Sequence, residues 1–126
     1  MPRQKITFDT VRLIGLALPD VEDGTAYGSP ALKIRGQLMA VVPTHRSAEP
    51  NSVAVRIPFD QRDELLAEEP DVYYVKPHYE DYAVVLVRMP GIHLDALRDL
   101  LEMSWQFVSS KPRVRKRKPT GRRERR

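Results

Sequence analysis

One short segment of the sequence gathers several side chains that could do chemistry: YYVKPHYEDY, residues 73–82. His78 is followed two and three residues later by Glu80 and Asp81, so its imidazole could act as a general base beside an orienting carboxylate. No serine, threonine or second histidine accompanies His78 in this segment, so a nucleophile, a base and an orienting group are not assembled locally. The segment therefore favours a turn whose tyrosines pack and form hydrogen bonds, and we expect the protein not to be an enzyme.

The same turn could also contact a ligand or a partner molecule. Tyrosine and histidine combine an aromatic face with a polar group, and a lysine in such a turn adds a positive charge. A further tyrosine precedes the first predicted strand. The candidate partner-binding residues are Tyr27, Lys76, His78, Tyr79 and Tyr82.

Metal and cofactor sites leave characteristic spacings that this sequence lacks. The chain contains no cysteine, which excludes disulfides, thiolate metal ligands and a cysteine nucleophile. It has neither a His-x-x-x-His pair nor an acidic loop with calcium-binding spacing. Gly24 and Gly28 lack both the phosphate-loop motif and a preceding strand. We therefore expect no metal site and no cofactor.

Three cations are predicted to share one face of a sheet. Lys33 and Arg35 alternate with apolar residues, which is the period of a half-buried strand, so both should point away from the core. Arg56, in a later strand, should lie on the same open face. Such a face could contact phosphates, while Tyr27 or Tyr79 stacks on a base.

Positive charge is concentrated at the end of the chain. Residues 111–126 hold ten Lys or Arg and one Glu, whereas the other residues hold eleven basic and sixteen acidic side chains. We predict a domain over residues 1–110 and a disordered basic tail over residues 111–126, because like charges repel and nothing apolar can be buried. Without aromatic residues the tail should bind phosphate and not read sequence; a merely solubilising tail is the alternative.

These observations together define the expected phosphate-binding residues. They are Lys33, Arg35, Arg56, Lys111, Arg113, Arg115, Lys116, Arg117, Lys118, Arg122 and Arg123.

Apolar periodicity predicts the elements that position these residues. We expect a helix beginning after Thr7, three strands, a second helix near residues 58–70, two strands around the turn, and a closing helix over about 94–108. The predicted fold class is α+β, a two-layer, antiparallel five-stranded sheet with helices on one face, in the order α-β-β-β-α-β-β-α. Residues 19–30 are expected to form an irregular loop. The strand over residues 82–89, apolar on both faces, is expected at the sheet centre.

Three segments in order resemble the MmcQ/YjbR-like family of small bacterial proteins. They are residues 18–40, 71–89 and 97–108, within a resemblance that covers about residues 7–112. The resemblance implies a fold akin to type III secretion chaperones and frataxin-like proteins, and the double-wing DNA-binding role attached to the family. The chain departs from the family at Ala83-Val84, where an aromatic residue is common, and in its basic tail, which extends beyond the usual family end.

We therefore expect a small non-enzymatic nucleic-acid-associated protein, with DNA as the expected partner and most of the affinity in the tail. The alternative is a chaperone-like module that binds a protein through the open sheet face and the tyrosine-rich turn. We also expect a monomer. We expect a cytoplasmic location, because the N-terminus has no apolar signal-peptide run and no stretch approaches the roughly 18 apolar residues of a membrane span.

Overall fold

Six antiparallel strands form one sheet in the order β1-β2-β3-β4-β6-β5, and three helices pack against it. The computed structural model describes residues 5–110, so the predicted tail over residues 111–126 lies outside the described residues. Short 3-10 turns occupy Pro77–Tyr79 and Met89–Gly91. The helices and strands are α1 (Phe8–Leu16), β1 (Val21–Ala26), β2 (Ser29–Ile34), β3 (Gln37–Val41), β4 (Ser52–Arg56), α2 (Phe59–Glu68), β5 (Tyr73–Tyr74), β6 (Val84–Arg88) and α3 (Leu94–Ser109).

The main hydrophobic core lies between the helices and one face of the sheet. Alternate strand residues such as Leu32, Val55 and Val87 point into it, as the two-residue period of a strand requires. α1 contributes Phe8 and α3 contributes Leu101, while α2 packs its leucines at the margin of the same cluster. The predicted α+β class, with an antiparallel sheet and three helices, is therefore confirmed. Among the described helices, none is long and apolar enough to cross a membrane.

The sheet has six strands and not the predicted five, because residues 21–26 form β1 where a loop was expected. The side chains of β1 are mostly exposed, so the strand has no apolar alternation to reveal it. It forms through backbone pairing along the whole of β2, from Val21 opposite Ile34 to Ala26 opposite Ser29. The hairpin turn between them places Tyr27 at φ 55° and Gly28 at φ 77°. Two successive positive φ angles are typical of a type I′ turn, whose twist matches that of the flanking strands.

β6 is shorter than predicted and lies next to the sheet edge. It pairs with β4 on one side and with the two-residue β5 on the other. Its apolar character on both faces has a local reason: Val85 and Val87 face the helices, whereas Leu86 joins a second apolar cluster on the opposite face. Tyr82, predicted to lie in this strand, lies in the loop before it.

Candidate binding groove on the open sheet face

A groove of about 520 Å³ lies on the sheet face opposite the helices. Its floor includes Leu38, Val41 and Ala54, which belong to the second apolar cluster. Two loops form its walls: residues 42–45, which follow β3, and residues 78–83, which precede β6. We call this feature the open-face groove. Its size falls within the range of about 300–1,000 Å³ that is usual for ligand pockets.

Two histidines from different loops stack where the walls meet. The ring centroids of His45 and His78 are 3.8 Å apart, and their planes differ by 11°. Tyr79 presents its ring edge-on to both imidazoles. The sequence places these histidines in separate segments, so local spacing gave no sign of the pair. Strand pairing brings the two loops together, because β3 and β6 are both neighbours of β4 in the sheet.

The environment of His45 favours its neutral form. Its Nδ1 accepts the Ser47 backbone N–H at 3.1 Å and lies 2.7 Å from the Ser47 hydroxyl. Because a backbone amide can only donate, Nδ1 carries no proton in this arrangement. Burial lowers the pKa of His45, and the nearby His78 and Arg46 lower it further because they disfavour a second positive charge.

Arg88 holds the loop after β3 in place. Its guanidinium binds both carboxylate oxygens of Glu49, at 2.7 and 2.8 Å, and lies over the ring of Tyr74, 4.4 Å from the centroid. The Tyr74 hydroxyl in turn accepts the Glu49 backbone N–H at 2.8 Å and lies 2.6 Å from the Ser52 hydroxyl. The hydrogen bond from Arg88 lowers the pKa of Glu49, so the ion pair favours the carboxylate.

Arg62 holds the other wall from behind. It projects from α2, is buried, and donates from Nη1 to the carbonyls of Glu80, Tyr82 and Val84 at 3.0–3.3 Å. Its guanidinium also lies 4.8 Å from the ring centroid of Phe59. No sequence pattern singles out Arg62 or Arg88, since an arginine in a helix or at a strand end is usually solvated. Only the tertiary structure shows that each one fixes a groove wall.

Arg56 is the one Lys or Arg side chain among residues 5–110 that lines the groove. β3 and β4 pair only at Ala40–Val55 and Val41–Ala54, so the strands are not bonded where Arg56 lies. The Arg56 Nη1 donates to the Leu38 carbonyl at 3.2 Å. Its guanidinium lies 5.7 Å from the ring centroid of Phe107, near the end of α3. One end of the groove therefore lies near the last residues that the structure describes.

The other predicted phosphate-binding residues are divided between different places. Lys33 lies on the open face, in register with Leu38 on one side and Glu22 on the other. Arg35, expected to share that face, lies instead in the turn after β2 at φ 49°, where it binds Asp20 at 3.0 Å. β2 ends at Ile34, and the turn at Arg35-Gly36 takes Arg35 out of the regular alternation of side chains between the two sheet faces. The remaining eight, from Lys111 to Arg123, lie outside the described residues.

The candidate partner-binding residues gather around the groove. Tyr27, His78, Tyr79 and Tyr82 all line it, and the Lys76 ammonium lies 5.8 Å from the ring centroid of Tyr74 beside it. Tyr27 is 82% exposed and Tyr82 is 59% exposed.

The groove offers aromatic faces, an apolar floor and one guanidinium. Within residues 5–110, the ring of His78 contacts the rings of His45, Tyr79 and Tyr82 rather than a carboxylate. This described part of the chain also contains no group of three or more His, Asp or Glu side chains that could hold a metal ion. The geometry is suited to stacking and hydrogen bonding with a bound molecule.

Fold and groove together define a two-layer α+β domain with one helix-covered and one open sheet face. The chain belongs to the YjbR family, whose model matches residues 16–107 and so spans the groove and both its walls. The predicted family resemblance is confirmed.

The chain is similar to several uncharacterized proteins in part of its sequence and to one solved structure in its fold. Uncharacterized proteins of Mycobacterium bovis and of two Mycobacterium tuberculosis strains are 38% identical over 50 residues, which is 40% of this chain and 39% of theirs. A crystal structure of Deinococcus radiodurans protein DR2400, a DUF419 domain of the same family, superposes with a TM-score of 0.70 at 19% identity. That superposition covers 88% of this chain and 84% of the other, and it shows that the fold is shared.

Proposed function

We propose that this protein is a non-enzymatic nucleic-acid-binding protein. Residues 111–126 supply the electrostatic affinity, and the open-face groove positions the bound strand. The observation that carries the proposal is the contact between Arg56 and Phe107, 5.7 Å from guanidinium to ring centroid. Phe107 lies four residues before the segment with ten Lys or Arg. In the sequence, the basic segment therefore begins shortly after a residue that contacts the arginine of the groove.

The distribution of charge in the folded domain favours the same side of the molecule. Among residues 5–110, no carboxylate lines the groove, although the domain as a whole is acidic. The outer helices carry seven carboxylates and two arginines: Asp60, Asp63, Glu64, Glu68, Asp95, Asp99, Glu102, Arg62 and Arg98. A polyanion is thus repelled from α2 and α3 more strongly than from the groove, although Glu22 lies opposite Lys33 on the same open face. The DNA-binding role implied by the family resemblance agrees with this arrangement.

Salt dependence gives the proposal a quantitative test. Each phosphate neutralised contributes about 0.7–0.9 to the slope of log affinity against log salt, so about eight contacts give a slope near −6 to −7. Replacing Arg115, Lys116, Arg117 and Lys118 together with glutamine should lower the magnitude of that slope by about 3. Fluorescence anisotropy with a labelled oligonucleotide at several salt concentrations measures both slopes.

The matched control replaces cations of the folded domain. Arg46 and Arg98 are surface residues that do not line the groove, and their replacement by glutamine should leave the slope within about one unit of the original. An unchanged slope in the four-glutamine variant would refute the role of the tail. Absence of binding by the full chain at low salt would refute the proposal as a whole.

A protein partner is the second candidate function. The apolar floor, with exposed Tyr27 and Tyr82 at its margin, could accept an extended peptide as well as a strand of nucleic acid. Affinity purification with the full chain, with and without nuclease treatment, separates the two candidates. A partner protein that remains bound after nuclease treatment favours the peptide; loss of all bound material favours nucleic acid.

A further inference from the structure

We infer that the open-face groove accepts one unstacked base of a single-stranded nucleic acid, with the adjoining phosphate at Arg56. The base would lie against the aromatic wall, which is formed by His45, His78 and Tyr82. This inference rests on the proposed function and narrows it from nucleic acid in general to single strands. Its basis is the joint presence of a pocket, aromatic faces and a cation at one site.

The size and shape of the groove favour a base over a duplex. A cavity of about 520 Å³ with walls on two sides can enclose a group of nucleotide size, whereas a double helix could only lie across its mouth. Bases within a duplex are stacked and paired, so their faces are not available to a protein wall. A single strand can turn one base out at little cost.

The aromatic wall supplies faces on which a base can stack. In the His45–His78 stack each ring covers one face of the other, so a base can stack only on an outer face, such as that of the exposed His78. The Tyr82 ring lies 6.4 Å from that of His78, centroid to centroid, and is tilted by 47°. Tyr82 is mostly exposed, so its ring can turn towards a bound base without disturbing the core. Stacking of this kind tolerates any base, because every base has a π face.

Arg56 supplies a polar contact at the other end of the groove. A guanidinium has five N–H donors in a planar fork, and within residues 5–110 one nitrogen, Nη1, is directed to the Leu38 carbonyl. The remaining donors can bind phosphate oxygens, a geometry that arginine suits well. Arg56 also lies beside Phe107, which precedes the basic segment of the sequence by four residues.

The groove is already formed before any ligand binds. Arg88 and Arg62 hold the two walls through hydrogen bonds to Glu49 and to three backbone carbonyls. A prearranged site loses less conformational entropy on binding, so base insertion needs no large rearrangement.

The test compares two single-stranded oligonucleotides with the same number of phosphates, one of thymidines and one of abasic residues. The full chain should bind the thymidine strand about tenfold more tightly or better, because only that strand can stack. Tyr82→Leu should abolish this preference, whereas Tyr82→Phe, which keeps the ring, should retain it. Thermal melting by circular dichroism checks that both variants fold.

Two outcomes would overturn the inference. They are equal affinity of the unmodified chain for both strands, and a preference that survives in Tyr82→Leu, including an equal loss of affinity for both strands. Equal affinity for both strands with a steep salt dependence would still leave the proposed function standing. No binding at low salt to either strand or to a duplex would refute both. Photocrosslinking of a 4-thiothymidine strand gives an independent readout: crosslinks at residues 78–82 support the inference, and crosslinks confined to residues 111–126 contradict it.

Discussion

Two arginines hold the loops that border the groove. Arg62 is buried behind one wall and donates to Glu80 and Tyr82 in the loop and to Val84 at the start of β6. Arg88 is partly exposed and pairs with Glu49 in the loop after β3. A loop that lines a site needs such support, because its own backbone bonds are few. We therefore expect binding and structure to depend on different residues: Tyr82 and Arg56 line the groove, while Arg62 and Arg88 bind the loops beside it.

Removing Arg62 should destabilise the protein. Arg62→Met keeps an apolar stem but leaves the carbonyls of Glu80, Tyr82 and Val84 without their charged donor, at a cost of about 2–3 kcal/mol. Urea unfolding followed by circular dichroism measures the free energy of unfolding. Arg98→Met is the matched control, since the exposed Arg98–Asp95 pair should contribute less than about 1 kcal/mol. Equal losses in the two variants would contradict the supporting role of Arg62.

His45 should titrate below the ordinary histidine value of 6.5. Because its pKa is lowered on folding, the unfolded chain binds the proton more readily, and stability rises with pH through this group. The contribution is unfavourable below the folded-state pKa and disappears above about pH 6.5, the unfolded-state value. NMR titration of the ring proton measures the pKa directly. In His78→Ala the pKa of His45 should rise, because both a nearby positive charge and part of the burial are removed; an unchanged or lower value would argue against the stacked pair.

Two hairpins set the spacing of the first three strands. The turns at Tyr27-Gly28 and Arg35-Gly36 both use positive φ angles, which glycine adopts readily and other residues adopt at a cost. These turns fix the register that puts Lys33 opposite Leu38 on the open face. Arg35 belongs to the second of these turns and therefore does not lie on the open face.

Gly36→Ala should therefore destabilise the protein by about 1 kcal/mol, because alanine at φ +84° is strained. Gly24→Ala is the matched control: it lies within β1, it has no positive φ, and an added methyl group meets nothing within 4 Å. Thermal or chemical unfolding of the two variants measures the difference. If Gly24→Ala proved the more destabilising of the two, the assignment of the turn would be wrong.

The elements with strong apolar periodicity were predictable from the sequence. The closing helix was expected over about 94–108 and spans Leu94–Ser109, because its buried leucines recur at helical spacing. β1 was not predictable in this way, since its strand character comes from backbone pairing and not from side-chain alternation. Tyr-Gly and Arg-Gly are also weaker turn signals than Asn-Gly, so the first hairpin was read as a loop.

Much of the candidate site could be named from sequence, but its geometry could not. Residue type and position predict these candidates: Tyr27 before the first predicted strand, and His78, Tyr79 and Tyr82 in the tyrosine-rich turn. The partner of His78 was missed, because His45 reaches it only through long-range strand pairing. Burial of Arg62 likewise depends on the tertiary contact of α2 with the loop before β6, which no local pattern encodes.

Charge is unevenly divided over the molecule. The described helices α2 and α3 carry seven carboxylates, the residues among 5–110 that line the groove include none, and residues 111–126 hold ten Lys or Arg. Glu22 lies opposite Lys33 on the open face, so the preference concerns the groove and not the whole of that face. We therefore expect a phosphate backbone to run along the groove and away from α2 and α3.

Chemical-shift mapping of the full chain with a single-stranded oligonucleotide tests this orientation most directly. In ¹H–¹⁵N spectra at low salt, we expect the amide shifts of residues 42–45 and 78–84 to change, together with those of Arg56 and its neighbours. Residues of α2 should remain unaffected. Shift changes centred on α2 and α3, or none in the groove walls while the oligonucleotide is bound, would contradict the account.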